Sequence, residues 1–444
     1  MKKTLTILLL LAVCLTCVFA NGGKEEAAGP QNIVIWSSWT GKGGAALQEM
    51  VAEFNAAQQN YVLELSYQGS YAEILAKYQA ADASSRPDGI MVSTEYVSYF
   101  IDQGKDYYYP VQKFADEDKY DLTDLFDNLQ VSYSKDGQLL CVPTGNTVVG
   151  FFYNTAVLKA AGINPETDLN SMEELEQACY KLAANGVKYP FALVANSIYY
   201  TFFVTAQGLQ YVDNNNGADA VPTRCLINEE PLRSETIKYF SIIKRLNEAG
   251  LIAPIDFSAS DNRQSLVNGD IAMLCSTCSS ANAIGTLSDW QVEIGFHPAI
   301  TISAGTTNYG QCTGGGCMFI ANNGSESKAR GVWEFCKVMM SPENTAKFAI
   351  NTGYLPTTKS GYNSPEYQEF VKTKFPTAIN AKTAQENTAA TCFNAWLPEF
   401  GDVHQIMIDN IKLCLNDPSY TAEQLTEKLA KEFDEAIRLY NLTR

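Results

Sequence analysis

The chain has 444 residues, of which 46% are hydrophobic and only 18% are charged, and its 49 acidic residues outnumber its 32 basic ones. This length favours two or more domains with separate cores, and the composition is typical of a globular rather than a disordered protein. The acidic excess argues against nucleic acid and anionic membranes as partners.

The first twenty residues form a segment of their own. Lys2 and Lys3 precede an uncharged apolar run, and Ala20 ends a small-residue cleavage motif. This pattern predicts a signal peptide over residues 1–20, which is too short to span a membrane, and a flexible polar tether over residues 21–31. Without the two lysines, the mature chain carries 30 basic residues against 49 acidic ones.

A signal peptide predicts a periplasmic or extracellular protein. Cys14 and Cys17 keep a second hypothesis open, in which the N-terminus is anchored as a lipoprotein, although neither cysteine follows the small residue that is usual there. Ten further cysteines lie in the mature chain. Disulfides persist in such a compartment, but the spacing of the cysteines leaves their pairing open.

Apolar strands alternate with amphipathic helices near the start of the mature chain. Strands are predicted at Asn32–Trp36, Tyr61–Leu65 and Ile90–Val92, and a helix follows each of the first two. This βαβαβ order favours a lobe with parallel strands, whose loops gather at the carboxyl ends of those strands.

The stretch Leu139–Asn154 organises the rest of the chain. Two apolar runs flank the polar break Thr144–Thr147, and Pro143 directly precedes that break. Because proline cannot donate into a central ladder, we predict two strands joined by an extended hinge. Here the chain would leave one lobe and enter a second.

The second lobe is predicted to begin after this crossing. It contains strands at Phe191–Val194 and Ile271–Leu274, and the latter runs into Thr277 as a return crossing. Gly314–Gly316 lead into a further strand, where the glycines indicate a close backbone approach or a positive φ.

Signatures of enzymes are scarce. The chain has two histidines and no H-E-x-x-H, G-x-S-x-G, Walker A or G-x-G-x-x-G motif. Cys275 and Cys278 have a thioredoxin-like spacing without a helix start, so buried thiols or structural disulfides are favoured over a redox or zinc site. We therefore predict no catalytic residue, no metal and no cofactor.

Polar, aromatic and glycine residues recur where the predicted strands end. Sugars and polyols require this mixture, because aromatic faces cover C–H surfaces while carboxylates, amides and hydroxyls bind the O–H groups. We predict a substrate-binding cleft that contains Trp39, Tyr71, Glu95, Thr147, Thr277, Gly315, Tyr354 and Trp396. For Glu95 a solvated turn, and for Tyr354 packing at a helix end, are the competing interpretations.

Four regions of the sequence, in this order, resemble a known family. They are Gly69–Glu73, Val149–Asn154 leading to Ala161–Glu166, Asn268–Met273 and Thr352–Lys359. Together they resemble the extracellular solute-binding proteins of family 1, the substrate-binding subunits of ABC importers. Within that family they are most similar to the branch that binds glycerol-3-phosphate and glycerophosphodiesters, and the resemblance runs from about Ile33 to the C-terminus.

This resemblance implies an α/β, two-lobed periplasmic-binding-protein fold of the class II type, with three hinge crossings and a ligand cleft between the lobes. The first lobe is expected over 32–144 and 277–340, and the second over 148–273 and 343–444. The later crossings are expected near 273–277 and 340–343.

The resemblance also implies roles for individual residues. By position, the ligand contacts of the branch fall on Tyr71, Glu95, Thr147, Thr277, Gly315 and Tyr354. Glu95 would accept hydrogen bonds from adjacent hydroxyls, and Gly315 would offer its backbone N–H.

The sequence departs from the branch at one point. The branch binds its phosphate with an arginine late in the chain, but the matching segment 390–396 has no basic residue. A buried phosphate there would lack its charge-assisted partner. We therefore expect a monomer that captures a sugar or oligosaccharide by lobe closure, without turnover, and delivers it to the transmembrane subunits of an ABC permease.

Two alternatives stay open. One is a glycerol-3-phosphate or glycerophosphodiester ligand in the same fold, because a helix N-terminus also holds phosphate. The other is a secreted carbohydrate-active enzyme, which needs two carboxylates facing each other across the cleft.

Overall fold

The computed structural model describes residues 29–194, 196–254, 256, 258–389 and 392–444. The predicted signal peptide and most of the predicted tether lie outside these ranges. None of the helices in the described ranges combines the length and the hydrophobicity that a membrane span requires.

The strands form two larger sheets and one short hairpin. In chain order they are β1 Gln31–Ser37, β2 Tyr61–Tyr67, β3 Gly89–Ser93, β4 Tyr108–Tyr109, β5 Ser134–Lys135, β6 Gln138–Leu139, β7 Val142–Pro143, β8 Val149–Asn154, β9 Tyr189–Ala192, β10 Ile271–Thr277, β11 Ile294–Pro298 and β12 Gly316–Ala321.

Helices cover both sheets. In chain order they are α1 Gly41–Ala57, α2 Tyr71–Ala80, α3 Val97–Gln103, α4 Val111–Asp118, α5 Asp127–Ser132, α6 Thr155–Ala160, α7 Pro165–Asp168, α8 Met172–Ala184, α9 Ser197–Ala206, α10 Leu232–Glu248, α11 Ala259–Asn268, α12 Ala281–Gly285, α13 Glu326–Met339, α14 Pro342–Thr352, α15 Lys359–Tyr362, α16 Pro365–Thr373, α17 Ala378–Glu386, α18 Phe400–Asn416 and α19 Ala422–Leu442.

The first sheet has the strand order β2-β1-β3-β12-β4, and β7 also pairs with β12. Strand β1 runs parallel to both β2 and β3, as the predicted βαβαβ order requires. Strand β12 runs antiparallel to β3, which brings Gly316 opposite Ser93. Ile90, Met91 and Val92 are fully buried, because helices cover both faces of this sheet.

The second sheet has the strand order β11-β8-β10-β9. Strand β8 lies antiparallel to both β10 and β11, and β9 lies parallel to β10. All six residues of β8 are buried, which explains its uninterrupted apolar and aromatic sequence. The chain passes from the first sheet to the second between β7 and β8, at the predicted polar break.

Parts of the predicted lobe boundaries are wrong. Residues 277–340 are predicted in the first lobe, but β11 lies at the edge of the second sheet. Residues 343–444 are predicted in the second lobe, but α14 packs on α1, and its Phe348 is part of the first core. An apolar pattern determines what kind of element forms, whereas long-range contacts decide which core it joins.

The predicted crossing at 340–343 is therefore absent. Helices α13 and α14 flank it, and both pack on α1 in the first lobe. The chain returns to the second lobe at α17, which packs on β11. There Asn380 Nδ2 donates a 3.1 Å hydrogen bond to the carbonyl oxygen of Phe296.

Candidate functional site

Two backbone segments meet where the chain crosses between the lobes. The amide of Thr144 donates to the carbonyl of Gly316 at 2.8 Å, and the amides of Thr147 and Gly314 each donate to the other residue's carbonyl, at 3.1 and 2.9 Å. Between them Gly315 has φ +130°, and a Cβ atom there would lie 2.3 Å from the carbonyl oxygen of Gly145. Only glycine fits this close approach.

Six of the eight predicted site residues gather around these paired segments. We call them the hinge cluster: Trp39, Tyr71, Thr147, Thr277, Gly315 and Tyr354. Tyr71 begins α2, Trp39 lies in the loop before α1, and Tyr354 lies in the loop after α14. The two threonines lie at the ends of the crossings.

Aromatic packing joins three members of the hinge cluster to the crossing. The Trp39 and Tyr354 rings meet edge to face, with centroids 5.6 Å apart. The Tyr354 ring covers Gly145, where a Cβ atom would lie 2.8 Å from it. The Tyr71 hydroxyl would lie 2.7 Å from a Cβ atom at Gly316. Glycine at these two positions therefore makes room for the tyrosines.

The hydroxyl of Thr147 links the first crossing to the second, whereas the hydroxyl of Thr277 has its partner within the second crossing. Thr147 Oγ1 lies 3.1 Å from the Cys278 sulfur and accepts a 3.3 Å hydrogen bond from the Ser279 amide. Thr277 Oγ1 lies 2.7 Å from Ser279 Oγ. Thr147 thus holds the crossings together through its side chain, and Thr277 pairs with Val149 in the second sheet.

Several buried polar atoms in this region have no well-directed hydrogen bond within the described residues: Trp39 Nε1, the Tyr71 hydroxyl and Thr144 Oγ1. Burial raises the pKa of Tyr71 far above its ordinary value, although Ser38 and Trp39 lie near enough to oppose that rise. Buried polar groups without a well-directed partner carry a free-energy cost.

The other two predicted residues, Glu95 and Trp396, line a cavity between the lobes. This central chamber has a volume of about 770 Å³, which includes space open to solvent, and it is lined mainly by Thr94, Glu95, Ser98, Val131, Ser132, Thr313, Phe393, Asn394 and Trp396. Glu95 is the only charged residue that lines it among the described residues. The chamber thus combines a carboxylate, hydroxyls, an amide and aromatic faces.

The Glu95 carboxylate has few partners. It is half-buried at the end of β3 and accepts a short hydrogen bond from Ser93 Oγ. Burial raises its pKa to about 7. Glu95 also makes a small contribution, after burial, to the raised pKa values of Tyr71 and Tyr354.

Two further chambers adjoin the central one, and we call the three together the groove. A second chamber of about 980 Å³ shares Val131, Ser132, Thr313 and Phe393 with it. A third chamber of about 640 Å³ shares Ser98 and Trp396 with it. The groove is therefore elongated along the boundary between the lobes.

The cations that line the groove already have partners. Lys359 donates to Asp127 at 2.8 Å, and Arg444 forms a 2.6 Å ion pair with Asp102. Lys135 donates to the carbonyl of Ala218, across the boundary between the lobes. Two of these three cations are thus paired with a carboxylate, whereas Lys135 has a neutral carbonyl as its partner.

No member of the hinge cluster is among the residues that line the three chambers, so ligand contacts of Tyr71, Thr147, Thr277, Gly315 and Tyr354 stay predictions. Trp39 also lies apart from the groove. It packs on Phe348 and Tyr354 and borders a separate cavity of about 470 Å³ beside α1, which shares no lining residue with the three chambers. Val131, Ser132, Thr313 and Asn394 were not predicted. Asn394 adjoins Trp396 in the sequence, which could have indicated it, but nothing local marks the other three as lining residues.

Two α/β lobes, joined by repeated crossings around a polar and aromatic groove, define a two-lobed solute-binding protein. The chain belongs to the family of bacterial extracellular solute-binding proteins, whose family model matches residues 49–377. As a member, it is the solute-binding component of an ABC importer, acting outside the cytoplasm and delivering a small solute to the permease.

Relatives and solved structures agree with this assignment. The chain is 26% identical over 387 residues to the sn-glycerol-3-phosphate-binding periplasmic protein UgpB of Escherichia coli, covering 85% of each chain. It resembles the structure of UgpB from Mycobacterium tuberculosis in complex with glycerophosphocholine, with a TM-score of 0.74, 20% identity, and coverage of 94% and 100%.

A structure from a different branch is equally similar in fold. The GacH receptor of Streptomyces glaucescens, solved unliganded and with acarbose, superimposes with a TM-score of 0.73 at 18% identity, covering 92% of this chain and 99% of the other. The predicted family and fold are thereby confirmed.

Proposed function

We propose that the protein captures a neutral, hydroxyl-rich solute, a sugar or short oligosaccharide, in the groove. The central chamber supports this proposal, because it offers the Glu95 carboxylate to hydroxyl donors and the Trp396 ring to a C–H face. Two of the three groove cations are already paired with carboxylates, which supports a neutral rather than an anionic ligand.

The shape of the groove supports a chain-like ligand. Three adjoining chambers allow several sugar units to lie along the boundary between the lobes. In this proposal, Glu95 fixes one unit by accepting hydrogen bonds from neighbouring hydroxyls. Amides and hydroxyls of the second chamber, including Gln311 and Thr388, bind the next unit.

Closure of the lobes would follow ligand binding, and contacts across the groove already indicate how. Asn128 Nδ2 of the first lobe donates a 2.7 Å hydrogen bond to Thr313 Oγ1 in the segment between β11 and β12. The closed form encloses the ligand and presents both lobes to the permease. We also propose that the protein acts as a monomer, after signal-peptide cleavage or lipid anchoring.

We infer that the protein carries out no turnover. Hydrolysis of a glycoside requires two carboxylates about 5–10 Å apart across the scissile bond. In the central chamber Glu95 has no second carboxylate beside it among the described lining residues.

A glycerophosphodiester is the second candidate ligand. The curated relatives named for glycerol-3-phosphate favour it, and Arg263 supplies a cation near the hinge cluster. Its Nη2 lies 3.5 Å from Ser280 Oγ, which in turn lies 2.9 Å from Ser276 Oγ, and no carboxylate in the described residues forms an ion pair with it. A phosphate could be bound between these groups.

Calorimetry distinguishes the two ligands. We would titrate the mature protein with maltose, maltotriose, glycerol-3-phosphate and glycerophosphocholine, at low and high salt. The proposal expects one-to-one sugar binding that salt leaves unchanged, with the sugar recovered intact by mass spectrometry. Binding of a phosphodiester that weakens with salt and is lost in Arg263→Gln would establish the second candidate instead.

A further inference from the structure

Two cysteines from distant parts of the chain lie side by side in the wall of the groove. The sulfur atoms of Cys312 and Cys392 are 3.9 Å apart. Cys312 lies between β11 and β12, and Cys392 lies between α17 and α18. Both are free, buried thiols in the second core. Their sulfurs are in van der Waals contact, and a disulfide requires side-chain rotations that bring them to about 2.05 Å.

Only one of the two thiols borders the groove. Cys392 lines the second chamber, together with Phe393 and Thr313. Cys312 does not line this chamber and is in contact with Thr205, whose Oγ1 lies 3.0 Å from its sulfur. A small molecule in the empty groove would therefore meet Cys392 first.

The environment also separates the two thiols chemically. A hydrogen bond with Cys312 holds the pKa of Cys392 below its ordinary value, and the Thr205 hydroxyl adds to this effect. Burial raises the pKa of Cys312. The thiolate is the nucleophile in exchange with disulfides, so the thiol that is reached first is also the one that ionises more readily.

We propose that Cys392 and Cys312 are a redox pair that reacts with small-molecule disulfides entering the empty groove. The Cys392 thiolate attacks one sulfur of a disulfide such as oxidised glutathione, which forms a mixed disulfide and releases one thiolate. Cys312 then loses its proton, attacks the Cys392 sulfur and releases the second thiolate. Two protein thiols lose two electrons and two protons, and the reagent is reduced to two thiols.

The new bond would change the groove itself. It would tie the segment that carries Thr313 to the segment that carries Asn394 and Trp396, and all three residues line the central chamber. This inference goes beyond solute capture and does not depend on which solute is bound.

A second thiol pair provides a control within the same molecule. Cys141 and Cys317 interact in the first core, but neither borders any of the three chambers. In one sample, the Cys141–Cys317 pair and the Cys312–Cys392 pair are exposed to the same concentration of the disulfide reagent. The two pairs differ in access, because only the Cys312–Cys392 pair can be reached from the groove.

The test incubates the reduced mature protein with oxidised glutathione without oxygen, followed by intact-mass measurement and peptide mapping. We expect the loss of two hydrogens, a linked peptide joining Cys312 to Cys392, and oxidation of Cys141 and Cys317 at least tenfold slower. Cys312→Ser should stop at a single glutathione adduct on Cys392, and Cys392→Ser should not react.

Three results would overturn the proposal: equal reactivity of both pairs, a Cys312→Ser protein without an adduct, or a stable adduct on the unaltered protein. Circular dichroism verifies that the variants fold, and Cys312→Ala replaces the serine variant if the serine is not tolerated.

Discussion

The hydroxyl of Tyr440 donates a 2.5 Å hydrogen bond to Oδ2 of Asp102. Tyr440 lies in α19, which packs on α10 and α18 in the second lobe, whereas Asp102 lies in α3 of the first lobe. Arg444 adds a 2.6 Å charge contact to Oδ1 of the same carboxylate. Asp102 and Arg444 also line the third chamber, so this contact spans the groove.

Removing the Tyr440 hydroxyl should therefore weaken the closed form. A hydrogen bond to a charged group contributes about 1.5–3 kcal/mol, part of which Arg444 retains by holding Asp102. We expect Tyr440→Phe to raise the Kd of the bound sugar roughly three- to tenfold, mainly through faster release. Calorimetry and stopped-flow fluorescence measure both effects.

The matched control for this variant lies on the same helix. Arg438 pairs with Glu435 three residues away, and both side chains are about half-exposed. Arg438→Gln should leave the Kd unchanged, because an exposed ion pair contributes little. Equal Kd values for Tyr440→Phe and Arg438→Gln would show that the contact has no part in closure.

The affinity for a sugar should depend on pH through Glu95. Burial raises the pKa of this carboxyl to about 7, so it is protonated below that pH in the empty protein. An ionised carboxylate accepts stronger hydrogen bonds from sugar hydroxyls than a protonated one. We expect affinity to rise between pH 5.5 and 8, and Glu95→Gln to bind about tenfold more weakly with a flat pH profile.

The same carboxyl should have the opposite effect on stability. Its pKa is about 7 in the folded chain against an ordinary 4.5, so the folded state holds a proton that the unfolded state has already lost. The free energy of unfolding therefore falls as the pH rises from about 4.5 to 7. Glu95→Gln should gain about 1–3 kcal/mol at pH 8 and nothing at pH 4, measured by urea unfolding.

A variant of Glu399 distinguishes the effect of a buried carboxyl on stability from its effect on sugar affinity. Burial raises its pKa to about 7 as well, followed by smaller contributions from Asp402 and Asp102, but it lines none of the three chambers. Glu399→Gln should stabilise the protein at pH 8, while the affinity keeps the pH dependence that Glu95 gives it. A flat pH profile in both variants would mean that the pH dependence of affinity does not come from the Glu95 carboxylate.

The sequence predicts most of the first lobe, because its strands are continuous apolar runs and a helix with an apolar stripe follows each of the first two. Strand β1 at Gln31–Ser37 contains the predicted Asn32–Trp36. Strand β11 and helix α14 were assigned to the wrong lobe, since their patterns resemble those of elements in either core. Long-range contacts decided those placements.

In the candidate site too, some residues were predictable from the local sequence and others were not. Glu95 follows the carboxyl end of a buried strand, where a polar side chain is conspicuous, and it lines the central chamber. Val131 and Ser132 also line it, but they end the short helix α5 and carry no local sign of such a position. A residue that lines the groove only because the two lobes lie side by side cannot be recognised from the residues next to it in the sequence.

The two tryptophans predicted in the cleft should behave differently. Trp396 lines the central and third chambers, whereas Trp39 packs on Phe348 and Tyr354. We expect Trp396→Ala to lose about 1–3 kcal/mol of binding free energy. Trp39→Ala should mainly lower the unfolding midpoint, because it leaves a cavity in the packing of the first lobe.

Intrinsic fluorescence checks this distinction with milder changes. Sugar binding should shift the emission of the unaltered protein and of Trp39→Phe, but not that of Trp396→Phe. A binding-induced shift that survives in Trp396→Phe would place the sugar elsewhere and contradict the proposed role of the central chamber.

Gly315 should tolerate no side chain. It has φ +130°, and a Cβ atom would lie 2.3 Å from the carbonyl oxygen of Gly145, which is backbone and cannot rotate away. Its own carbonyl accepts hydrogen bonds of 2.9 Å from the amide and the hydroxyl of Thr94, which precedes Glu95. Gly315→Ala should cost about 1–3 kcal/mol of stability and displace Glu95, so that affinity falls as well.

Gly401 provides the comparison for this substitution. It lies in α18, and a Cβ atom there would meet nothing within 4 Å. Gly401→Ala should raise the unfolding midpoint slightly, since alanine favours the helix by about 0.5–1 kcal/mol. If Gly315→Ala unfolded at the same temperature as the unaltered protein and bound sugar equally well, the close approach of the two crossings would not hold Glu95 in place.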